Sequence, residues 1–258
     1  MGILMLQNRT DGHIASGKNA GFLLILLLFV SLLSGCAATG KVNDPFEPVN
    51  RHIYSFNKTA DTYIVKPIAK GYDAVLPGPV KTGVTNFFNN LDDLPIAANG
   101  LLQGRPQDTA SDLARVVLNT TMGVFGLFDV ASRLGVVKHE ADFGQTLGKW
   151  GVKSSPYLII PILGASTIRD GIGRSVDWYL SPWPWINPEA LRYGLYAFDG
   201  ISIRSEYLQH EDLFDVAAFD EYIAVRNAYL QRRDALINGD KHKANFKDDS
   251  GFDDPGFD

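Results

Sequence analysis

Cysteine is nearly absent from this chain: one residue, Cys36, in 258. A single thiol closes no internal disulfide and supplies no paired ligands for a zinc knuckle or an iron–sulfur cluster, so neither staple is open to the fold. Concentrated positive charge is also missing. Lys and Arg number 24 against 29 Asp and Glu, a net charge of −5, with no basic block anywhere. A nucleic-acid binder gathers basic residues on one face, so that class is excluded. The histidines beyond the first segment, His52, His139, His210 and His242, are scattered and form no H-E-x-x-H run. Ser166 lacks the second glycine of a nucleophile elbow, and Gly171-Ile172-Gly173 is too short for a dinucleotide fingerprint. Asp92-Asp93 and the Glu140/Asp142 pair read as solvated turn caps. No catalytic residue, metal site or cofactor is therefore expected.

What the chain does have begins at its start. Residues 20–33 are fourteen uncharged, mostly apolar residues preceded by Arg9 and Lys18, the n-region and h-region of an export signal. A membrane-crossing helix needs about 20 apolar residues, so this segment is too short for an anchor. Leu33-Ser34-Gly35-Cys36 follows at once. It resembles the lipobox of bacterial lipoproteins, in which small residues expose the bond before a cysteine that is then acylated. Cys36 is accordingly the expected lipidation site, residues 1–35 the signal peptide and residues 36–43 a lipidated tether. Several acyl chains, each worth about 0.8 kcal/mol per buried CH₂, hold such an anchor stably. Cleavage removes Arg9, Lys18 and Asp11, which moves the net charge from −5 to −6. Polybasic attraction to anionic lipid is thus not the membrane strategy.

The folded part is expected to span residues 44–239 and to be mainly α, in short helices punctuated by proline. Ile53, Phe56, Ala60 and Tyr63 mark one helix face, which Pro67 is expected to stop. Residues 80–91 form another stretch, closed at Asp92-Asp93-Leu94-Pro95. A helix capped at Thr109 or Ser111 is expected to continue through the uncharged run Met122–Phe128. Asn187-Pro188-Glu189 reads as a helix start with proline at its first position. A last helix through Tyr222, Val225, Tyr229 and Leu236 is expected to end at Asn238-Gly239, leaving an acidic, disordered tail at 240–258.

Three of the four tryptophans fall at 178, 183 and 185, beside Tyr179. Pro182, Pro184 and Pro188 deny this stretch a regular helix or central strand, so these rings do not easily face one interior. Indole and phenol rings favour the headgroup level of a bilayer, and Trp178, Tyr179, Trp183 and Trp185 are the expected membrane-interface residues.

With the lipobox, an ordered set of segments resembles the MlaA (VacJ) family of outer-membrane phospholipid-trafficking lipoproteins. They are Asp44-Pro45-Phe46-Glu47-Pro48-Val49-Asn50-Arg51, Tyr63 through Ala69, Asn99 through Gly104, Phe143 through Gly148, Pro156 through Pro161, Gly164 through Asp170, and Tyr222 through Arg232. Ser155 and Ala165 depart from the pattern, which often has glycine and proline there. The resemblance implies a ring of short amphipathic helices lying in one membrane leaflet around an amphipathic channel. It implies removal of mislocalised phospholipid from the outer leaflet of a Gram-negative outer membrane, from a position in the periplasmic leaflet. The implied partners are phospholipids, a trimeric porin, a soluble periplasmic carrier and, indirectly, an inner-membrane ABC transporter complex. Arg169 is a candidate channel residue because a guanidinium meets phosphate bidentately, with Asp170 orienting it; an Arg–Asp ion pair holding a turn is the alternative. A scaffold lipoprotein without transport activity and a lipid-modifying hydrolase are the rival functions. Replacing Cys36→Ser is expected to release the protein from the membrane fraction or leave it unprocessed; normal membrane retention of the processed variant contradicts the lipobox.

Overall fold

The computed structural model describes residues 44–153, 155–208, 211 and 220–250. Cys36, the signal segment and the tether lie outside the described residues, as do residues 251–258. The chain from Asp44 onward is one unit, mainly helical as expected.

Helix α1 (Glu47–Ala60) does not stop at Lys66-Pro67. A π-helical segment, Asp61–Val65, carries it directly into α2 (Lys66–Val75). Proline lacks an N–H, and its ring crowds the carbonyl four residues back. The wider π turn absorbs this by re-registering the ladder just before it, with the Lys66 N–H reaching Asp61 O five residues back. Helix α3 (Gly78–Leu102) likewise runs through Pro95, where a break was expected. Packing against α4 (Pro106–Thr121) overrides the local cost: Asp93, Pro95, Ala97 and Asn99 are all buried there, and the Asn99 amide donates to Pro95 O at 2.9 Å.

Helix α4 starts earlier than the expected cap. Pro106 opens it, and the Thr109 hydroxyl instead donates to Arg105 O and Ala97 O at 3.0 and 3.3 Å. It also ends earlier, at Thr121. The apolar run beyond does not continue the helix, because Val124, Phe125 and Gly126 take left-handed conformations (φ 52°, 56° and 91°) and fold the chain back. Two consecutive left-handed residues without glycine, one of them β-branched, are strained. Backbone bonds hold the turn, Gly126 N–H to Asn119 O at 2.8 Å and Phe128 N–H to Gly123 O at 2.9 Å.

Two short helices follow, α5 (Val130–Arg133) and α6 (Phe143–Lys149), capped by the side chains of Asp129 and Asp142. An antiparallel hairpin pairs β1 (Tyr157–Ile160) with β2 (Gly164–Thr167), Tyr157 opposite Thr167. Thr167 then caps α7 (Ile168–Leu180). A 3₁₀ turn (Trp183–Trp185) leads to α8 (Glu189–Tyr207), with Pro188 at its N-cap rather than inside the first turn. Helix α9 (Glu221–Ser250) passes through Asn238-Gly239, the expected terminator, and its backbone stays helical into the segment expected to be a disordered tail. A glycine costs a helix only about 1 kcal/mol relative to alanine, too little to end it without a left-handed residue.

The elements meet in a closed circuit. Helix α1 packs on β1, β1 pairs with β2, β2 touches α7, α7 and α6 reach α3, α3 packs on α8, and α8 returns to α2, the continuation of α1. Helix α4 lies against α3, and α9 against α6 and β2. Among the described residues no helix is long and apolar enough to cross a membrane.

The α6–α7 contact depends on two glycines. A Cβ at Gly173 would lie 2.3 Å from the Gly144 nitrogen, and one at Gly144 would lie 2.5 Å from Asp170 Oδ1. At Gly171, two residues earlier on the same helix and next to nothing closer than 3.8 Å, a methyl meets only ordinary contacts. Gly173→Ala is therefore expected to cost about 1–3 kcal/mol in thermal unfolding. Gly171→Ala is expected to be neutral or slightly stabilising, and equal effects of the two would contradict the close approach.

Candidate functional site

Arg169 and Asp170, taken from the sequence as channel candidates, sit in the first turn of α7 and are buried. Arg169 Nε donates to Asp170 Oδ1 at 3.2 Å, and the Asp170 backbone N–H is held by the Thr167 hydroxyl at 3.1 Å. A third participant comes from α9. Arg233 donates to Asp142 through Nη1 and Nη2 at 2.5 and 2.9 Å, and its Nη2 also reaches Asp170 Oδ1 at 2.7 Å. The Tyr229 hydroxyl, four residues earlier on the same helix face, donates to Asp170 Oδ2 at 2.8 Å. Burial by itself would raise the Asp142 carboxyl, but the Arg233 guanidinium outweighs it and holds it below the usual carboxylate range. Burial and the Asp170 carboxylate push the Tyr229 phenol up. The local sequence thus makes Arg169 and Asp170 part of a joint that ties α9 to the starts of α6 and α7. Among the described residues Arg233 Nε has no hydrogen-bond partner, and it is buried at a cavity of about 270 Å³ lined by Ile96, Gln145, Tyr229, Arg232 and Leu236 among others.

Two further polar centres recur inside the fold. Arg115 on α4 is almost fully buried and donates to Asp93 at 3.3 Å, to Ser132 Oγ and Val136 O at 2.9 Å, and to both Asp129 oxygens at 3.2 Å. At the opposite end, Asp44 accepts from the Tyr222 hydroxyl and from Arg226 at 3.2 Å, and Asn50 holds the backbone of β1 through Ile159 N at 2.9 Å and Tyr157 O at 3.1 Å.

The aromatic cluster divides. Trp183, expected at an interface, is buried: it stacks on Phe88 at 5.9 Å and Trp178 at 6.4 Å, with Tyr196 edge-on at 5.5 Å. The prolines do not keep these rings apart, because the 3₁₀ turn folds Trp183 back onto its own helix and onto α3 and α8. Trp178 is half-buried in the same stack, while Tyr179 and Trp185 stay 71% and 75% exposed.

Among the described residues, buried polar and charged side chains outnumber buried apolar ones, and many large apolar residues are exposed. The exposed set includes Leu113 and Val117 on α4, Met122, Phe125 and Phe128 in the strained turn, Leu101 and Trp150, and Ile162 at the hairpin tip. Exposed large apolar residues in this number mark candidate partner- or membrane-contact surface.

Comparison with known proteins agrees with this arrangement. A family model described as MlaA lipoprotein matches residues 42–236. The intermembrane phospholipid transport system lipoprotein MlaA of Escherichia coli is 35% identical over 226 residues, covering 84% of this chain and 89% of that protein. The protein of the same description from Haemophilus influenzae is 34% identical over 232 residues, covering 85% and 91%. A solved structure, described as the structural basis for maintenance of bacterial outer membrane lipid asymmetry, superposes with a TM-score of 0.69 at 33% identity, over 76% of this chain and all of that one.

Removing one partner of a buried ion pair costs about 3–5 kcal/mol, whereas an exposed pair is worth about 0–1 kcal/mol. Arg233→Ala is therefore expected to destabilise strongly, and Arg232→Ala, whose pair with Glu140 is exposed on both sides, hardly at all. Because the folded Asp142 carboxyl lies below its unfolded value, its contribution is complete above about pH 4 and is lost as pH falls further. The gap between wild type and Arg233→Ala in denaturant midpoint should shrink over that range; a gap constant down to pH 2 contradicts the assignment. On the matched segment, the coverage of its relatives and the shared structure, the chain belongs to the MlaA lipoprotein family.

Proposed function

We propose that this protein is an outer-membrane lipoprotein that takes mislocalised phospholipids from the outer leaflet through an amphipathic passage and hands them to a soluble periplasmic carrier, maintaining lipid asymmetry. The observation that carries the reading is the shift of polarity: charge networks inside and many large apolar side chains exposed, in a family whose relatives are named for intermembrane phospholipid transport. Such an exterior suits helices lying in one leaflet, the periplasmic one in this reading, with Cys36 as the covalent anchor. The closed circuit of elements is read as the wall of the passage, since a phosphate-bearing headgroup crosses hydrocarbon only where polar groups meet it. A trimeric porin and, beyond the carrier, an inner-membrane ABC transporter complex are the partners this route requires. The transfer is not enzymatic: lipid moves toward the location where it is most stable, and the partners supply the energy.

Tyr179 and Trp185 are the interface residues retained from the aromatic cluster, while Arg169 and Asp170 shape the passage by holding α7 in place. Tyr179→Asp with Trp185→Asp is expected to make the protein sit shallower, read as weaker quenching by lipids brominated along their tails. In a strain lacking the native protein, wild type should lower the outer-leaflet phospholipid accessible to an added phospholipase. A chain that restores asymmetry only while releasing lysolipid or free fatty acid would be a hydrolase, and this reading would fall.

A further inference from the structure

Helices α3 and α8 pack antiparallel. The Thr85 hydroxyl donates to Glu206 Oε1 at 2.6 Å, Phe88 meets Phe198 with centroids 6.3 Å apart, and Asp92 acts electrostatically on Asp199. The seam between the two helices is thus polar at Thr85–Glu206 and aromatic at Phe88–Phe198. At the Thr85 end, where α2 joins, it opens into a cavity of about 360 Å³ whose lining includes Asp73, Lys81, Thr85, Asn86, Ser205 and Glu206. That volume lies in the range of small-ligand sites, about 300–1,000 Å³.

The charges along this seam do not balance. Lys81 is committed to Asp73 at 2.5 Å, on the α2 side of the cavity. Glu206 has only a neutral hydroxyl for a partner, and Asp199 makes no hydrogen bond or ion pair among the described residues. Lys138, the cation acting on Asp92, is bound to Asn89 Oδ1 at 2.8 Å and Asp93 at 3.2 Å. Burial, with Asp92 and Glu206 as neighbours, pushes the Asp199 carboxyl up to about 7. Burial also pushes the Asp92 carboxyl up to about 6. The cavity also holds an unspent donor. Ser205 is only 4% exposed, lines the cavity, and its hydroxyl has no partner among the described residues. A wall with surplus carboxylate on one side, and a lysine, an amide and a free hydroxyl beside it, fits a ligand with a cationic and an anionic end.

We propose that the α2–α3–α8 cavity binds the headgroup of a zwitterionic phospholipid, its primary ammonium on Glu206 and its phosphate facing Lys81 and Ser205. The inference rests on the transport reading and deepens it, because it gives the passage a preference for amine-bearing over anionic headgroups. An anionic glycerol headgroup offers nothing to neutralise Glu206, and like charge repels it.

The test uses the purified full-length lipoprotein, equilibrated in micelles holding equal phosphatidylethanolamine and phosphatidylglycerol, repurified and extracted for bound lipid. Wild type is expected to be enriched in the ethanolamine lipid. Glu206→Gln should shift the ratio about tenfold toward the glycerol lipid, the scale of losing a charge-assisted hydrogen bond, with total lipid nearly unchanged. An unchanged ratio overturns the headgroup site and leaves the transport reading standing. Wild type that retains neither lipid overturns both. A measurement on the unaltered protein guards against a misfolded variant: glycerophosphoethanolamine should raise the Tm more than glycerophosphoglycerol does. If free ethanolamine raises it equally, the seam binds simple amines and the headgroup assignment is wrong.

Discussion

Arg233 holding Asp142 and Asp170 is the interaction on which the rest of this structure depends. It reaches from α9 to the N-terminal ends of two different helices, and at each end the bonded carboxylate belongs to a helix's first turn or cap. Negative charge at a helix start is favourable, and both carboxylates also organise local backbone: Asp142 through Gln145 N–H, Asp170 through its place beside Thr167. The guanidinium therefore binds two acids already fixed in position. Buried pairs of this kind are weak devices for net stability but strong ones for geometry. With few buried apolar side chains available, geometry is what the fold requires.

The same logic repeats around the circuit. Arg115 fixes α4, α3 and the α5 region to one another; Arg226 and Tyr222 fix α9 to Asp44 at the start of α1. Ordinary soluble domains invert this arrangement, keeping charge outside and using apolar packing as the general adhesive. Here the apolar cluster around Tyr157, Ile159 and Tyr222 and the aromatic stack of Trp183 on Phe88 are local, and many other large apolar groups are exposed. In the proposed leaflet placement, helices immersed in lipid tails would gain nothing hydrophobic by packing on one another, and polar contacts and close approach at small residues would take over. Gly144 against Gly173 is that second device.

Much of this was legible in the residues, and the failures have physical causes. The mainly helical class followed from spacing and caps, and the family from ordered short segments. Pro67 and Pro95 misled because a proline's local penalty is small against a π turn or a well-packed helix face, neither of which shows in the sequence. Met122–Phe128 looked helical because it is apolar and uncharged, whereas left-handed backbone at Val124 and Phe125 has no residue signature. The prolines around Trp183 point to an interface, but a 3₁₀ turn brings its ring into the interior. Arg233 meets Asp170 from 63 positions away, a separation that local spacing does not reveal. A signal existed: Tyr222, Arg226, Tyr229 and Arg233 recur at steps of four, three and four, so two arginines lie on a tyrosine stripe. Cations on the face that packs inward mark buried pairs.

The central claim is that a polar interior within an apolar exterior lets phospholipid headgroups pass. Proteoliposomes containing the purified lipoprotein and a phospholipid with a reducible fluorophore on its headgroup test it most directly. In protein-free vesicles an impermeant reductant bleaches only the outer half of the label. The account predicts that wild-type protein makes the inner half accessible as well, and that Arg233→Ala, which loosens the joint, changes that rate. Bleaching that stops at half, as in protein-free vesicles, with the protein folded and inserted, would contradict it.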